Sequence, residues 1–378
     1  MPNPNAIIST FVRLDQSLDR ALEMLGTGES ISVELDDERR AQLDPADPRS
    51  SGFARVLDGL SKQMLPVYLE IDPASDAITR LLIPYIARVA GIGYSAQGAL
   101  SVTLDASHAV HELRLDSANF ADLELELRGA LRAAQPVIVV DDDAHHIIAI
   151  RAFTPDPDQP RRPLPPFPPT PIPDRSLFQR LWDWIWWWVF WPWWFWFRCV
   201  SMKTAQQVFN AMAATTCDPL IIPPPCIPFL YPDDGCWARA HEMCRLMINS
   251  GLHPRKVWID GSLYVNTKNN PRCFVQWGWH VAPTLCVRVP LFFPFLLLRT
   301  RRMVIDPSLF NTPVTEATWK GVQGDPNAVL THTSADQFWP GGGTDPTYSG
   351  TNHYLGVYRL ELQLRSIQQG PPPYAVCP

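Results

Sequence analysis

Three residues in the C-terminal half of the chain have the types and order that catalysis by a cysteine nucleophile requires. Cys236 lies in "YPDDGCWARAHEMCRLM", His280 follows 44 residues later in "FVQWGWHVAPTLCVRV", and Asp306 follows after a further 26 residues in "RRMVIDPSLF". A thiolate attacks a carbonyl carbon, an imidazole exchanges protons with the thiol and the leaving group, and a carboxylate fixes the imidazole tautomer. These residues therefore predict an acyl-transfer site.

The local sequence predicts a different element for each of these residues. Apolar residues recur at helical spacing after Cys236 until Gly251, so the cysteine is expected in the first turn of a helix. There the helix dipole favours a thiolate, and the backbone N–H of Cys236 is a candidate oxyanion donor. His280 lies in an alternating segment typical of a strand, and Asp306 ends the next short strand. This order predicts a helix packed on an antiparallel sheet, as in papain-like and transglutaminase-like folds.

Three motifs resemble the bacterial protein-glutaminase, or protein-glutamine deamidase, family. They read "DDGCWARAHEM", "WGWHVAPTL" and "VIDPSLFNTPVTEATWKG", and they fall between about residues 225 and 325. The resemblance implies a nucleophilic Cys236, a general acid and base His280 and an orienting Asp306, with no cofactor and no metal. It also implies a substrate, a glutamine side chain exposed on a protein, which is hydrolysed to glutamate and ammonia.

Aromatic residues beside the motifs are the candidates for the wall of the substrate slot. These are Trp237, Trp277 and Trp279, although plain packing in a core is an equally good interpretation of each. On the predicted helix, we expect His241 to be a packed structural residue and Glu242 to be exposed.

Two groups of residues offer metal ligands, and for both we favour an interpretation without a metal. Cys236, His241, Cys244 and His280 supply zinc-binding atoms, but a spacing of five on a helix points Cys236 and His241 to different sides and no CxxC pair exists. The segment "DDDAHH" (Asp141 to His146) is favoured as a solvated hairpin turn rather than a metal site. A structural role for Cys236 is the alternative to catalysis.

All eight cysteines lie from Cys199 onward, so the C-terminal part has its own redox chemistry. An even number permits disulfides, but sequence alone does not pair them. Cys217 and Cys226 are close enough in sequence to join as a loop staple. The candidates for disulfide partners are Cys217, Cys226, Cys244, Cys273, Cys286 and Cys377.

The N-terminal residues 1–153 contain an internal repeat and are expected to form one duplicated α+β domain. "ISVELDD" from Ile31 matches "LSVTLDA" from Leu100, and the copies cover about residues 31–84 and 100–151. Each copy is predicted to contain strand, short strand, helix, strand, turn and strand, because period-two alternation surrounds one helical segment. Nothing in this repeat is typical of a catalytic site.

Two unusual segments separate this domain from the predicted catalytic domain, residues 201–378. Residues 154–175 are rich in proline and predict an extended linker. Residues 176–200 carry nine tryptophans between Trp182 and Trp196, in an apolar run shorter than the roughly 20 residues of a bilayer span. We expect this segment to contact a membrane surface or a partner, because tryptophan favours the headgroup zone.

Composition and the N-terminal sequence bear on the partner and on the location of the protein. The net charge of -6 argues against a nucleic-acid partner, which needs a basic face. The N-terminal stretch lacks the basic and apolar regions of a signal peptide, so we expect a bacterial protein that is exported or delivered by another route, as a toxin or effector. The alternatives to deamidation are a transglutaminase or cysteine protease with the same three residues, or a catalytically dead membrane-docking adaptor.

Overall fold

A computed structural model of the chain shows a mixed α+β architecture, and the predicted α+β class is confirmed. The proline-rich linker lies outside the described residues apart from residue 154, as does the tryptophan-rich segment apart from residues 199–200. The chain divides into a first unit, Met1–Pro163 with Gly356–Tyr374, and a second unit, Leu164–Leu355 with Ala375–Pro378. The described residues are 5–36, 39–94, 98–154, 199–221, 225–290 and 298–378.

The first unit contains one succession of elements twice. The first copy consists of β1 (Ala6–Ser9), β2 (Val12–Leu14), α1 (Leu18–Thr27), β3 (Ile31–Leu35), β4 (Ala41–Leu43), α2 (Ser50–Gln63), β5 (Val67–Ile71) and β6 (Ile78–Leu82). The second consists of β7 (Tyr85–Tyr94), β8 (Leu100–Leu104), β9 (His111–Leu113), α3 (Phe120–Ala133), β10 (Pro136–Asp141) and β11 (Ile147–Ala152). Within the described residues, α1 has no counterpart in the second copy.

The sheets of the two copies follow the same order. The second copy is one sheet in the order β11-β10-β7-β8-β9, whereas the first is split into β6-β5-β1 and β2-β3-β4. The split follows from a break at Thr10 and Phe11, because β1 and β2 together take the place of the continuous β7. Buried and exposed residues alternate along β3 and β8, so one face of each sheet packs against its amphipathic helix.

The second unit is built on one antiparallel sheet. Its elements are β12 (Val200–Ser201), α4 (Met202–Ala213), α5 (Cys236–Asn249), β13 (Arg255–Asn266), β14 (Phe274–Pro290), β15 (Leu298–Val304), β16 (Val314–Thr315), α6 (Glu316–Gly321), β17 (Val329–Thr333), β18 (Gln337–Trp339) and β19 (Gly342–Thr344). The last helix, α7 (Ser349–Gln369), begins in this unit, and its residues from Gly356 belong to the first unit. The strand order of the sheet is β16-β15-β14-β13-β17, and β12 is added parallel to β14. The helix that begins at Cys236 packs on β14, as the sequence predicted.

Three disulfides close loops of the second unit, and the predicted Cys217–Cys226 staple is confirmed. Cys244 was a candidate partner but remains a buried thiol, as does Cys236. Cys199 was not among the candidates, yet β12 pairs with β14 directly beside it and brings it to its partner. The bonds join Cys199 to Cys286, Cys217 to Cys226 and Cys273 to Cys377.

The helices in the described part of the chain are up to 21 residues long, the length of α7. None of them is both long and apolar enough to cross a membrane.

Candidate active site

Cys236 is the first residue of α5, where the sequence predicted it. The preceding Gly235 has φ 79°, a left-handed conformation that glycine adopts without a side-chain penalty, and this turn directs the chain into the helix. The side chain of Cys236 is almost completely buried, with 1% of its surface exposed. The chain entry at Gly235 therefore sets the position of the sulfur within the protein interior.

His280 and Asp306 meet on neighbouring strands. His280 lies within β14, Asp306 follows the end of β15, and the Nε2 and Oδ2 atoms are 3.0 Å apart. The indole N–H of Trp319 donates to the same Oδ2 at 2.9 Å, and the backbone N–H of Ser308 donates to Oδ1 at 3.2 Å. Burial by itself would raise the pKa of Asp306, but the contacts from His280 and Trp319 lower that pKa below its usual value. The carboxylate is thus held ionised against the imidazole.

The imidazole of His280 also lies beside the sulfur. A ring nitrogen of His280 and Cys236 Sγ are within 4.8 Å of each other. Since Asp306 engages Nε2, the proton of the neutral ring is held on Nε2, and Nδ1 is the nitrogen that can exchange a proton with the thiol. Cys236, His280 and Asp306 therefore form one connected group in the order that the sequence predicted.

The environment of Cys236 differs from the expectation. Burial raises the pKa of the Cys236 thiol, and this outweighs the opposing effect of the Arg239 guanidinium and of a hydrogen bond from the backbone of Val281. The sequence predicted a thiolate stabilised by the helix dipole. Burial removes water from the sulfur, and this desolvation disfavours the charged form by more than the dipole favours it. In the conformation seen here, burial therefore disfavours the thiolate form of Cys236.

The three predicted slot residues have different environments. Trp277 is completely buried and its ring stacks on His280, with centroids 4.5 Å apart and planes 16° apart. Trp237 is also completely buried and contacts Trp279 and Trp339, at centroid distances of 5.7 and 4.8 Å. Trp279 alone of the three is partly exposed. Contact with substrate stays a prediction for all three, and Trp279 is the one that a substrate can reach directly.

The stack of Trp277 on His280 depends on an irregularity in the sheet. Residues three apart on a regular strand point to opposite faces. The pairing of β13 with β14 shifts between Asp260 and Leu263, opposite Gly278, so two residues of β13 face one residue of β14. Both rings are consequently buried on one side, and Trp319 stacks on His280 as well, at 5.4 Å.

The sequence did not single out three residues that support this site. Arg239 is buried, and its guanidinium donates to the backbone oxygens of Tyr231 and Asp234 ahead of the helix. Trp319 lies in the quoted "TWKG" segment, which was the available signal for its contact with Asp306. Lys256 is completely buried on β13, and no local pattern distinguishes it from an ordinary surface lysine.

The other residues of the rejected zinc group have separate roles. His241 Nδ1 lies 2.9 Å from Lys256 Nζ, and burial together with the Lys256 charge lowers the pKa of His241 to about 4. This structural role agrees with the expectation. Glu242 was expected to be exposed, but it is completely buried and forms an ion pair with Arg245 at 2.6 Å. The expectation fails because α5 is enclosed on more than one side, which sequence periodicity does not reveal.

The segment that contains the three predicted catalytic residues is similar to known proteins. A cysteine at a helix start, with a histidine and an aspartate from an antiparallel sheet, is the arrangement that papain-like folds use. Residues 205–323 match a family model described as a glutaminase, and this range contains Cys236, His280 and Asp306. The resemblance of residues 225–325 to the protein-glutaminase family is thereby confirmed.

Solved structures of protein-glutaminases are also similar to the chain. A crystal structure of pro-protein-glutaminase is 20% identical, with a TM-score of 0.48 over 78% of this chain and 98% of that chain. A crystal structure of protein-glutaminase is 29% identical, with a TM-score of 0.36 over 42% and 88%. The NMR structure of protein-glutaminase from Chryseobacterium proteolyticum is 28% identical, with a TM-score of 0.35 over 41% and 84%. No curated protein sequence matches the chain.

Proposed function

We propose that this protein is a cysteine-dependent deamidase that hydrolyses glutamine side-chain amides in proteins to glutamate and ammonia. The observation that carries the proposal is the contact of Cys236, His280 and Asp306 within the segment that matches the glutaminase family model. The site needs no cofactor for this reaction, since sulfur, imidazole and water supply the nucleophiles and the protons.

The reaction proceeds in two halves. The thiol of Cys236 transfers its proton to His280, and the sulfur attacks the amide carbon of the glutamine side chain. The protonated imidazole then gives its proton to the departing nitrogen, so that ammonia leaves and a thioester remains. Water, deprotonated by His280, attacks the thioester and releases glutamate and the thiol. Asp306 holds the ring in one tautomer and stabilises its charged form.

The N-terminal end of α5 supplies the means to stabilise the oxyanion. The first N–H groups of a helix have no partner within the helix, and a donor aimed at the developing charge lowers the barrier. The backbone N–H of Cys236 is the proposed donor, because it moves with the sulfur that forms the bond. Trp279 and its neighbours Trp237 and Trp277 form the proposed wall of the slot that receives the glutamine.

The test measures ammonia release from a glutamine-containing peptide by the full chain, before and after limited proteolysis. Proteolysis is included because Cys236 is only 1% exposed in the conformation seen here. We expect ammonia together with the mass change from amide to acid. Incorporation of an added amine would instead indicate a transglutaminase, and peptide fragments a protease. Neither product from either sample would support a dead adaptor.

A matched pair of variants shows which thiol acts. Cys236 and Cys244 are both buried thiols on α5, but only Cys236 lies beside His280. We expect Cys236→Ala to abolish ammonia release and Cys244→Ala to retain it, with similar thermal unfolding of both. Retained turnover in Cys236→Ala would refute the proposed nucleophile.

We further propose that the protein works outside the reducing cytoplasm, as a bacterial toxin or effector that is exported. The three disulfides support this, because such bonds persist in oxidising compartments. Fractionation of the producing cells, with alkylation of thiols before and after reduction, tests it. Recovery only of fully reduced protein from the cytoplasm would contradict the proposal.

Contact of Trp182–Trp196 with a membrane surface is also proposed. These residues lie outside the described residues, but the chain that follows them is fixed by β12 and by the Cys199–Cys286 bond. Arg301 and Arg302 lie near that disulfide and supply positive charge for anionic headgroups. Sedimentation with anionic vesicles tests the idea. Equal recovery in the supernatant with and without vesicles would refute it.

A further inference from the structure

In the first unit, the second copy of the repeat contains a buried group of histidine and aspartate side chains. His111 Nδ1 and His145 Nδ1 lie 3.0 and 2.8 Å from the same oxygen, Asp141 Oδ2. All three residues are at least 91% buried. The segment "DDDAHH" was expected to be a solvated turn, and that expectation is wrong for Asp141 and His145. The cause is the approach of β9, which covers one side of the turn.

The first copy shows that this backbone does not need polar residues in its interior. Ile71 occupies the place of Asp141, since each precedes its turn after a shift in strand register and pairs with an equivalent isoleucine. Ala41 occupies the place of His111, because Ala41 pairs with Val33 as His111 pairs with Val102. Two of the three positions are thus apolar in the first copy and polar in the second.

The turn itself is also conserved between the copies. The backbone N–H of Gln42 donates to the oxygen of Asp76, and that of Glu112 donates to the oxygen of His145, both at 2.9 Å. Asp76 and His145 both have positive φ, at 56° and 59°. Because the same strained turn forms with an exposed aspartate in the first copy, the fold alone does not require an imidazole at position 145.

We propose that His111, Asp141 and His145 bind a divalent transition metal ion, with Zn²⁺ as the best fit. Two imidazoles and one carboxylate are a common ligand set for such ions, and their three donor atoms all lie within 4.8 Å of one another. In a tetrahedral site with bonds of about 2.0–2.2 Å, neighbouring ligand atoms are about 3.3 Å apart. The observed separations of 2.8 and 3.0 Å need to widen by only a few tenths of an ångström.

An outer partner fits the same interpretation. His111 Nε2 lies 2.8 Å from Ser107 Oγ, so with the metal on Nδ1 the ring donates its remaining N–H to this oxygen. Ligand histidines usually have such a partner, which fixes the ring and its tautomer. The Ser107 hydroxyl is itself held by the backbone N–H of Ala109 at 3.1 Å. The charge of Asp141 offsets part of the charge of the ion in this buried position.

The test uses the full chain without an affinity tag, freed of metal by a chelator, in a Cys236→Ala background that removes the active-site thiol. Zn²⁺ affinity is measured against a competing chelator, and Co²⁺ reports the coordination by its absorption spectrum. We expect one ion per chain, and at least a hundredfold loss of affinity in His145→Gln. Ser107→Ala keeps all three ligands and should lose about 10–100-fold.

His146→Gln is the matched control, because this adjacent histidine contacts Asp142 instead and is a quarter exposed. It should bind Zn²⁺ like the parent chain, and circular dichroism should show that every variant remains folded. If the parent chain binds no more Zn²⁺ than His145→Gln, or if His146→Gln loses as much affinity, the site is refuted. The group would then be a hydrogen-bonded network without a metal.

Discussion

Each of the two units holds a buried histidine–aspartate contact, and the contacts have the same length. His280 Nε2 lies 3.0 Å from Asp306 Oδ2 in the second unit, and His111 Nδ1 lies 3.0 Å from Asp141 Oδ2 in the first. The neighbours differ. A sulfur lies beside His280, whereas a second imidazole, that of His145, shares the carboxylate of Asp141.

This difference shows that a buried imidazole–carboxylate pair does not by itself define a catalytic group. Beside a thiol, the pair can relay a proton for a nucleophile, as we propose for His280, because the imidazole can take the proton of the sulfur. Beside a second imidazole, the same pair presents three donor atoms that converge, which suits a cation. The third neighbour therefore decides which chemistry the pair can support.

The largest effect is expected for His280→Ala. Loss of the base leaves the buried thiol protonated, because burial raises the pKa of Cys236. Ammonia release should fall by about four orders of magnitude or more. His332→Ala is the control, since it removes a half-exposed histidine that pairs with Glu316 in the same unit. A similar rate for both variants would show that His280 has no special role.

A smaller loss is expected for Asp306→Asn. The amide oxygen can still accept from Trp319, but the charge that stabilises protonated His280 is lost. We expect kcat to fall about 10²–10⁴-fold with little change in KM. Trp319→Phe keeps the charge and removes one hydrogen bond, so its loss should be about tenfold. Steady-state ammonia assays distinguish these cases, and a larger loss in Trp319→Phe would contradict the assigned role of Asp306.

In the first unit we expect a change of stability that depends on the number of partners removed. Asp141→Ile installs the residue of the first copy but leaves two histidines without their acceptor, at a cost of about 1–3 kcal/mol. Adding His111→Leu should recover part of this loss, because replacing both partners by apolar residues is nearly neutral. Hydrogen exchange of the β10 amides in metal-free protein measures these changes in the free energy of unfolding. A double variant less stable than the single one would refute this balance.

The smallest effect concerns a histidine without a carboxylate partner. The pKa of His241 falls from its ordinary value of 6.5 to about 4 in the folded protein, so between these values the unfolded chain binds more protons. Stability should therefore be lost as pH falls from 6.5 toward 4, by about 1–2 kcal/mol. Urea unfolding followed by tryptophan fluorescence reports the second unit alone, because the first unit contains no tryptophan.

His241→Gln should flatten this pH dependence, since glutamine does not titrate. His253→Gln is the control for a histidine outside the Lys256 contact. If His241→Gln and the parent chain lose stability equally over this range, burial of His241 is not the cause.

Much of the second unit's site could be predicted from sequence. Period-two alternation around His280, the helix start at Cys236 and the Asp-Pro-Ser-Leu motif gave the three residues and their elements. Each of these signals is local, because hydrophobic spacing and turn chemistry act over a few residues. The repeat of the first unit was visible for the same reason, since both copies use the same short-range pattern of strands and one helix.

The tertiary structure decided which side chains are buried and which of them contact one another. The pKa of Cys236 is raised rather than lowered, because burial depends on packing from distant segments and outweighs the helix dipole. The register shift opposite Gly278 places Trp277 on His280, and the covering of one turn makes Asp141 and His145 interior residues. The burial of a side chain and its contacts depend on residues that are far apart in sequence. Local patterns therefore determined the helices and strands, and the tertiary structure determined the chemistry of the side chains that they carry.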